Sequence, residues 1–249
     1  MSQETRIAVF RPDDERLAEA VDLLESLGAD PIADPMLAVE PTGATPREDT
    51  DYTVLTSKTG VELAADAGWR PSDSGAVCAI GDRTARALRE AGYEVDLIPE
   101  EFSSAGLVHA LESEVAGSRV EVARSDHGSS VLTDGLNDAG AYVHETVLYR
   151  LIRPPESGVS AERAAAGELE GALFTSSLTV EHFLAAAAER GLREEAITGL
   201  STAVVGAIGG PTRETAERAG VDVDVVPDAA SFEELACDVV ERAAPSYRG

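Results

Sequence analysis

Basic residues are scarce in this sequence, and lysine is almost missing: Lys58 is the only lysine among 249 residues. Lysine and arginine together number 20 against 46 aspartates and glutamates, which gives a formal net charge of −26. Such a chain has no basic stripe to neutralise phosphates, so no nucleic-acid partner is expected. An acidic, lysine-poor surface is typical of halophilic proteins, because concentrated salt screens the repulsion between like charges.

Aromatic residues and long apolar runs are also scarce. Aromatics make up 4% of the chain and Trp69 is the only tryptophan, so we expect cores of alanine, valine, leucine and isoleucine. No apolar run approaches the roughly 20 residues that span a membrane, and the start MSQETRIAVF lacks the apolar segment of a signal peptide. We therefore expect a cytoplasmic protein without a membrane partner.

Motifs for metals, nucleotides and covalent catalysis are missing as well. The two cysteines, Cys78 in a predicted strand and Cys237 in a predicted helix, have no CxxC neighbour, and we expect both to be buried thiols. The histidines are scattered without the spacing of metal ligands: His109, His127, His144 and His182. No GxGxxG, Walker A or GxSxG motif occurs. The expectation is a site without metal or cofactor.

One stretch of sequence occurs twice. Residues 79–99 read AIGDRTARALREAGYEVDLIP, and residues 207–227 read AIGGPTRETAERAGVDVDVVP. Each copy predicts an apolar strand, an Ile-Gly turn, a helix that ends at Gly92 or Gly220, and a valine-rich strand that ends at proline. A serine follows at the same distance in both copies, at Ser103 and Ser231. We infer an internal duplication.

The rest of the chain alternates between strand and helix patterns. Further strands are predicted at 6–10, 53–55, 119–123 and 172–175, and further helices include 13–27, 104–114 and 232–243. The proline-bounded segments 31–41 and 143–152 read as extended connectors, 158–170 as a helix or loop, and 245–249 as a frayed tail. This alternation predicts an α/β protein with two flavodoxin-like domains, each a parallel sheet with helices on both faces.

The candidate binding residues lie where predicted strands end and helices begin. Open α/β sheets bind ligands beyond the carboxyl ends of their strands, and helix N-termini attract anions. Helix capping accounts for any single serine or threonine there, but the doubled set favours a polyanionic ligand. The set comprises Arg11, Thr56, Ser57, Gly81, Thr84, Ser103, Arg124, Thr175, Ser176, Ser177, Gly209 and Thr212.

Several motifs in one order resemble uroporphyrinogen-III synthase, in an acidic, haloarchaeal-like form. They are the doubled Thr-Ser at a strand end, the doubled Ile-Gly-x-x-Thr stretch, the R-S-D after a middle strand, and VLYR before a proline-rich connector. The resemblance covers almost the whole chain. It implies a cytosolic lyase of tetrapyrrole, porphyrin and heme biosynthesis, a monomer without cofactor or metal. Its small-molecule substrate is hydroxymethylbilane, a linear tetrapyrrole with eight carboxylates, which the family closes to uroporphyrinogen III with inversion of ring D.

The resemblance also implies a catalytic residue and a domain map. Tyr149 occupies the place of the family's candidate proton donor, although packing in the connector would also account for a tyrosine there. The implied domains are 1–35 with 155–249, and 38–148, joined by a two-stranded linker at about 34–41 and 145–155. The residues alone would equally allow a tandem division near Gly117. Lys58 departs from the family pattern, because small residues are usual there.

A second class of function is compatible with the same features. A two-domain protein that binds a polycarboxylate or small anion without catalysis, such as a sensor or regulator, would also place hydroxyls and glycines at its strand ends. Conversion of hydroxymethylbilane distinguishes the two classes.

Overall fold

The computed structural model describes residues 5–244. The strands in chain order are β1 (Arg6–Phe10), β2 (Asp30–Ala33), β3 (Ala38–Pro41), β4 (Tyr52–Leu55), β5 (Ala76–Ala79), β6 (Arg119–Ser125), β7 (Tyr142–Ile152), β8 (Gly171–Phe174) and β9 (Val204–Ala207). The helices are α1 (Glu15–Ser26), α2 (Lys58–Asp66), α3 (Asp82–Glu90), α4 (Ser104–Leu111), α5 (Ser130–Asp138), α6 (Val159–Ala165), α7 (Ser177–Glu189), α8 (Arg193–Leu200), α9 (Gly210–Arg218) and α10 (Phe232–Ala243).

The chain divides into two compact units. The first unit contains the residues up to Ala38 and those from Ile152 onward, and the second contains Val39–Leu151. The first unit is therefore discontinuous in sequence.

The first unit is built on a four-stranded sheet in the order β2-β1-β8-β9, in which every neighbouring pair is parallel. Alternate residues of β1 enter different cores because side chains of a strand alternate between its faces. Ile7 and Val9 pack with α1 and α10, whereas Ala8 and Phe10 pack with α6, α7 and α8. Both faces of the sheet are thus covered by helices.

The second unit has a five-stranded sheet in the order β3-β7-β6-β4-β5. The pairs β7–β6, β6–β4 and β4–β5 are parallel. Leu55 of β4 packs in a core with α2 and α3, and its neighbour Val54 packs on the other face with α4 and α5. The predicted α/β class with parallel sheets between helices is confirmed in both units.

The predicted strands at the end of each repeat are wrong. Residues 93–98 and 221–226 contribute only single parallel bridges, Cys78 with Leu97 and Gly206 with Val225. In both copies an aspartate side chain accepts a hydrogen bond from a backbone N–H group that a longer β-ladder would use. Val77 N–H donates to Asp96 and Val205 N–H donates to Asp224, each at 2.8 Å. The prolines that follow lack a backbone N–H, so the ladder cannot continue past them.

The structure adds detail to the remaining predictions and corrects some of them. The connector 31–41 contains two short strands, β2 and β3, and 158–170 contains the short helix α6. Helix α8 was not predicted, and α4 ends at Leu111 rather than at 114. Cys78 is buried as expected, but Cys237 is exposed because it lies on the outer side of the amphipathic helix α10. The predicted frayed tail lies outside the described residues.

Candidate functional site

In the second unit, two loops meet at the carboxyl edge of the sheet. Leu55 ends β4 and Ala79 ends β5, and the two residues are partners in the parallel register, so the loops that follow them are neighbours. Thr56 is half-buried at the end of β4, and Ser57 caps α2 by accepting a hydrogen bond from Gly60 N–H at 3.0 Å. The sequence therefore puts a serine hydroxyl at the first turn of a helix that starts at this edge.

Tyr149 reaches this edge through an irregularity in β7. The register pairs Arg124 with Val147 but Ser125 with Tyr149, so Leu148 is an extra residue on β7. The bulge interrupts the alternation of the strand, and Leu148 and Tyr149 are both buried in the core beneath α2 and α3. The Tyr149 ring therefore lies in the core, and its hydroxyl reaches towards the end of β4.

The Tyr149 hydroxyl donates a hydrogen bond to Ser57 Oγ at 3.0 Å. Ser57 Oγ then accepts two hydrogen bonds, from Tyr149 and from Gly60 N–H. A serine hydroxyl has two lone pairs and one proton, and this proton has no acceptor within residues 5–244. The pair is arranged to offer the Ser57 proton to an incoming acceptor, with Tyr149 behind it.

Glycines cap the next helix in each unit. Gly81 precedes α3 and Gly209 precedes α9, and both have extended backbones with φ of −178° and −177°. Neither helix has a side-chain cap among the described residues, so its first N–H groups stay unpaired by side chains. Helices of this kind carry partial positive charge at their N-termini and bind anions there.

The carboxyl edge of the first unit repeats the arrangement around Ser57. Thr175 Oγ1 donates to the carbonyl of Phe10 at 2.6 Å and so joins the ends of β8 and β1. Ser176 caps α7 in a reciprocal pair with Thr179, at 3.2 Å in both directions. Ser177 Oγ donates to the carbonyl of Pro211 at 3.0 Å and thereby fixes the start of α7 against α9.

Arg11 lies directly after β1 at the same edge. Its guanidinium is 4.3 Å from the centre of the Phe232 ring, and Nη1 donates to the carbonyl of Arg16 at 3.4 Å. Burial, and then the charge of Arg16, lower the pKa of Arg11 from its usual range, although an arginine stays protonated. Arg11 makes no salt bridge within the described part of the chain, so its charge is available to a carboxylate.

Four residues of the predicted set are turned inward or engaged with the protein. Thr84 and Thr212 lie in the first turns of α3 and α9 but are only 4% and 3% exposed, because that side of each helix packs on its sheet. Arg124 belongs to β6 rather than to the loop after it, and its buried guanidinium pairs with Glu145 at 2.9 Å. Ser103 caps α4 and donates to Glu101 at 2.7 Å. The Arg124 charge and the Ser103 hydroxyl proton are therefore engaged within the protein, whereas Thr84 and Thr212 are buried apart from a small exposed fraction.

One residue at this edge escaped the sequence reasoning. Phe102 packs on Gly81, yet its side chain is 57% exposed. Its signal in the sequence is a single aromatic residue in the polar run Pro-Glu-Glu-Phe-Ser-Ser. An isolated phenylalanine carries neither a charge nor a hydroxyl, so it does not belong to the pattern of polar groups at the strand ends.

No helix in the described residues is both long and apolar enough to cross a membrane. Among residues 5–244 no three histidine, cysteine, aspartate or glutamate side chains are grouped so that they could hold a metal ion. Groups at the two strand edges that could bind an anion include serine and threonine hydroxyls, backbone N–H groups at helix starts and the Arg11 guanidinium.

The comparison with protein families decides what kind of protein has these edges. The model of the family described as uroporphyrinogen-III synthase HemD matches residues 18–237. The chain belongs to the uroporphyrinogen-III synthase family. The resemblance found in the sequence motifs is thereby confirmed.

Individual relatives agree with the family match. A protein of Methanothermobacter thermautotrophicus named as a candidate uroporphyrinogen-III synthase is 32% identical over 230 residues, which is 86% of this chain and 90% of that protein. The uroporphyrinogen-III synthase of Synechococcus elongatus is 35% identical over 144 residues, 54% of either protein.

Solved structures of the uroporphyrinogen-III synthase family share the fold. A uroporphyrinogen III synthase from Thermus thermophilus superposes with a TM-score of 0.67 at 21% identity and covers 96% of this chain and 98% of its own. The Helicobacter pylori protein has a TM-score of 0.59 at 15% identity, with coverage of 96% and 100%. At these identities the likeness extends to the fold alone.

Proposed function

We propose that this member of the uroporphyrinogen-III synthase family closes hydroxymethylbilane to uroporphyrinogen III and inverts ring D as it does so. The observation that carries the proposal is the family match over residues 18–237. The doubled strand edges support it independently, because a linear substrate with eight carboxylates requires anion-binding groups at several places along its length.

The reaction is a cyclisation with loss of one water. The hydroxyl of ring A leaves with an added proton, and the methylene carbon that remains bonds to the substituted carbon of ring D to give a spiro intermediate. The bond from ring D to its other methylene then breaks, and that methylene bonds to the unsubstituted carbon on the other side of the ring nitrogen, which gives up a proton. One proton is taken up and one is released, and nothing is oxidised or reduced, so the reaction calls for no redox cofactor.

Positioning contributes most to this catalysis. The unassisted closure gives the uninverted isomer, so the enzyme must hold ring D with its substituted carbon towards the reactive methylene. The supporting groups are the first N–H groups of α3 and α9, the hydroxyls of Ser57 and Ser176, and the guanidinium of Arg11. Each can hold one substrate carboxylate through hydrogen bonds that act only at short range.

Capture of the substrate has to be local. A chain with a net charge of −26 repels a polyanion at long range, and only contacts at the two strand edges offset this repulsion. We propose for this reason that the enzyme works in a salt-rich cytoplasm, because the Debye length is only about 3 Å at 1 M salt. We also propose that it works as a monomer. The segments 34–41 and 145–155 connect the two units along the chain.

Tyr149 supplies the proton for the departing hydroxyl of ring A. Its hydroxyl and that of Ser57 are 3.0 Å apart, so the proton can pass directly or through the serine. The supporting feature is the bulge in β7, which brings a mostly buried phenol to a strand end at which the sheet otherwise presents backbone and serine groups. A general acid of this kind contributes about 10² to 10⁴ in rate.

The test is a product analysis. The purified protein is incubated with hydroxymethylbilane at high salt, the products are oxidised to porphyrins, and the type I and type III isomers are resolved by chromatography. Buffer alone serves as the control for unassisted closure. We expect type III to dominate in the presence of the protein. Type I alone, formed at the rate seen in buffer, would refute the proposal, and bilane binding without turnover would assign the chain to the class of non-catalytic binding proteins.

A further inference from the structure

Phe102 is an exposed aromatic residue whose exposure contributes nothing to the stability of the fold. Its side chain is 57% exposed, whereas full burial of a phenylalanine is worth about 1.5–3 kcal/mol. The other strongly exposed aromatic residue within 5–244 is Tyr142, at 71%, and it lies at the opposite, amino-terminal end of the same sheet. A single exposed apolar residue is common in proteins, so exposure alone does not imply a function.

The Phe102 ring packs on Gly81, and this contact indicates that the local structure accommodates the ring at this position. A Cβ atom added at Gly81 would come within 3.0–3.3 Å of three Phe102 atoms. The backbone of Gly81 is extended with φ of −178°, a conformation open to every residue. A larger residue here would crowd the ring, and the missing side chain of glycine lets the ring lie directly against the backbone that caps α3.

The backbone on both sides of the ring is held in place. Ser103 N–H donates to the carbonyl of Glu101 at 2.8 Å, and Ser103 Oγ donates to the Glu101 side chain at 2.7 Å. Gly106 allows the start of α4 to approach the same carbonyl, since a Cβ there would lie 2.0 Å from the Glu101 oxygen. These contacts hold the backbone on either side of residue 102, from which the ring reaches Gly81.

The ring also lies beside the candidate site. Gly81 follows β5 at the position where Ser57 follows β4, because Leu55 and Ala79 are partners in the parallel register. The ring thus lies beside the start of α3, whose first N–H groups have no side-chain cap among the described residues. The apolar face of the Phe102 ring lies next to the N–H groups at the start of α3, which can bind an anion. This combination suits a flat pyrrole ring that carries carboxylate side chains.

We infer that Phe102 is a stacking platform for one pyrrole ring of the linear tetrapyrrole and a positioning residue that favours the inverted product. This inference rests on the proposed function. The phenyl ring holds the pyrrole face-on while the N–H groups of α3 hold its carboxylate. A stacked aromatic pair contributes about 0.5–1.5 kcal/mol beyond the area it buries. Together with the lost contact area, removal of the ring should lower kcat/KM about tenfold.

The experiment compares Phe102→Ala, Phe102→Tyr and Tyr142→Ala with the wild type. Tyr142→Ala is the matched control, because it removes an exposed aromatic ring from the same sheet at the other edge. For each protein, kcat, KM and the ratio of type III to type I product are measured, together with the midpoint of thermal unfolding. Since Phe102 is more than half exposed, all three variants should unfold within a few degrees of the wild type.

We expect Phe102→Ala to raise KM, to lower kcat/KM about tenfold and to increase the share of type I product. Phe102→Tyr should restore both quantities, and Tyr142→Ala should leave them unchanged. Wild-type kcat/KM and isomer ratio in a folded Phe102→Ala protein would overturn the inference while the proposed function stands. A wild-type protein that yields only type I would instead remove the proposed function and the inference with it.

Discussion

The sharpest test of the site is the change Tyr149→Phe. It removes one hydroxyl from a side chain that is 7% exposed and leaves the ring in the core beneath α2 and α3. In the structure this hydroxyl donates to Ser57 Oγ at 3.0 Å, and Ser57 keeps its second hydrogen bond from Gly60 N–H. The substitution therefore removes one hydrogen bond and one dissociable proton.

The two roles open to this hydroxyl predict different magnitudes. If Tyr149 only orders Ser57, the loss is that of one neutral hydrogen bond, about 0.5–1.5 kcal/mol, which corresponds to about 2- to 13-fold in rate. If Tyr149 is the proton donor, the loss is about 10² to 10⁴. We expect a loss of more than about 10² in kcat, with the remaining product still type III, because the strand-end groups that orient the bilane are untouched.

Tyr93→Phe provides a matched control. Tyr93 belongs to the same core, is 9% exposed, and donates its hydroxyl to the carbonyl of Trp69 at 2.9 Å. It follows the C-terminal end of α3, about 13 Å along a nine-residue helix from the strand edge. Its loss should lower the free energy of unfolding by about 1 kcal/mol and leave kcat unchanged.

The assay is single-turnover formation of uroporphyrinogen III at high salt, with the uncatalysed rate subtracted and the isomers resolved. Ser57→Ala and the double variant complete a cycle that separates direct proton donation from action through the serine. A decrease in kcat of less than about tenfold for Tyr149→Phe would refute the assignment, because the loss of one neutral hydrogen bond accounts for an effect of that size. Tyr149 would then be a packing residue, and water or a substrate carboxylate would have to donate the proton.

Three further outcomes follow from the structure. Burial raises the pKa of the Cys78 thiol to about 12, so a thiol reagent at pH 8 should modify exposed Cys237 alone in the native protein and both cysteines after denaturation; two rapid native equivalents would contradict this. Buried Glu121 contacts His144 Nδ1 at 2.6 Å, and its Oε1 has no partner in the described residues, so His144→Ala should lower the free energy of unfolding by about 1–3 kcal/mol, with recovery in the double variant with Glu121→Val. Equal destabilisation of the single and double variants in urea unfolding would argue against it. Activity should rise with salt as repulsion between the acidic protein and the bilane is screened, and a steady fall in a protein that circular dichroism shows to be folded would exclude local capture.

The sequence was sufficient to predict the fold class. Apolar residues recur with the period of strands in short runs and with the period of helices in longer ones, and this alternation leaves few options besides parallel sheets between helices. Glycines with positive φ at the helix ends, such as Gly92 at +89° and Gly220 at +90°, gave the helix limits locally. The duplication then indicated that the two halves of the pattern build similar edges.

The local sequence pattern predicted the wrong secondary structure where a side chain accepts a hydrogen bond that a strand would use. The valine-rich ends of the repeats have strand composition, but Asp96 and Asp224 take the ladder donors of Val77 and Val205. Cys237 lies in an amphipathic helix, and only the packing of α10 on its sheet decided which side of the helix is exposed.

For the candidate site, the sequence determined which residue types stand at the strand ends, because a residue next to a strand stays next to it in the fold. Only the tertiary structure decided which of them face outward. Thr84 and Thr212 turn towards their sheets, whereas Tyr149 and Ser57, 92 residues apart, form a pair. That pair depends on the register of β6 with β7 and on the extra residue at Leu148. Register is a property of two strands together, and side-chain direction at a helix start depends on what the helix packs against, so neither is encoded in a local stretch of sequence.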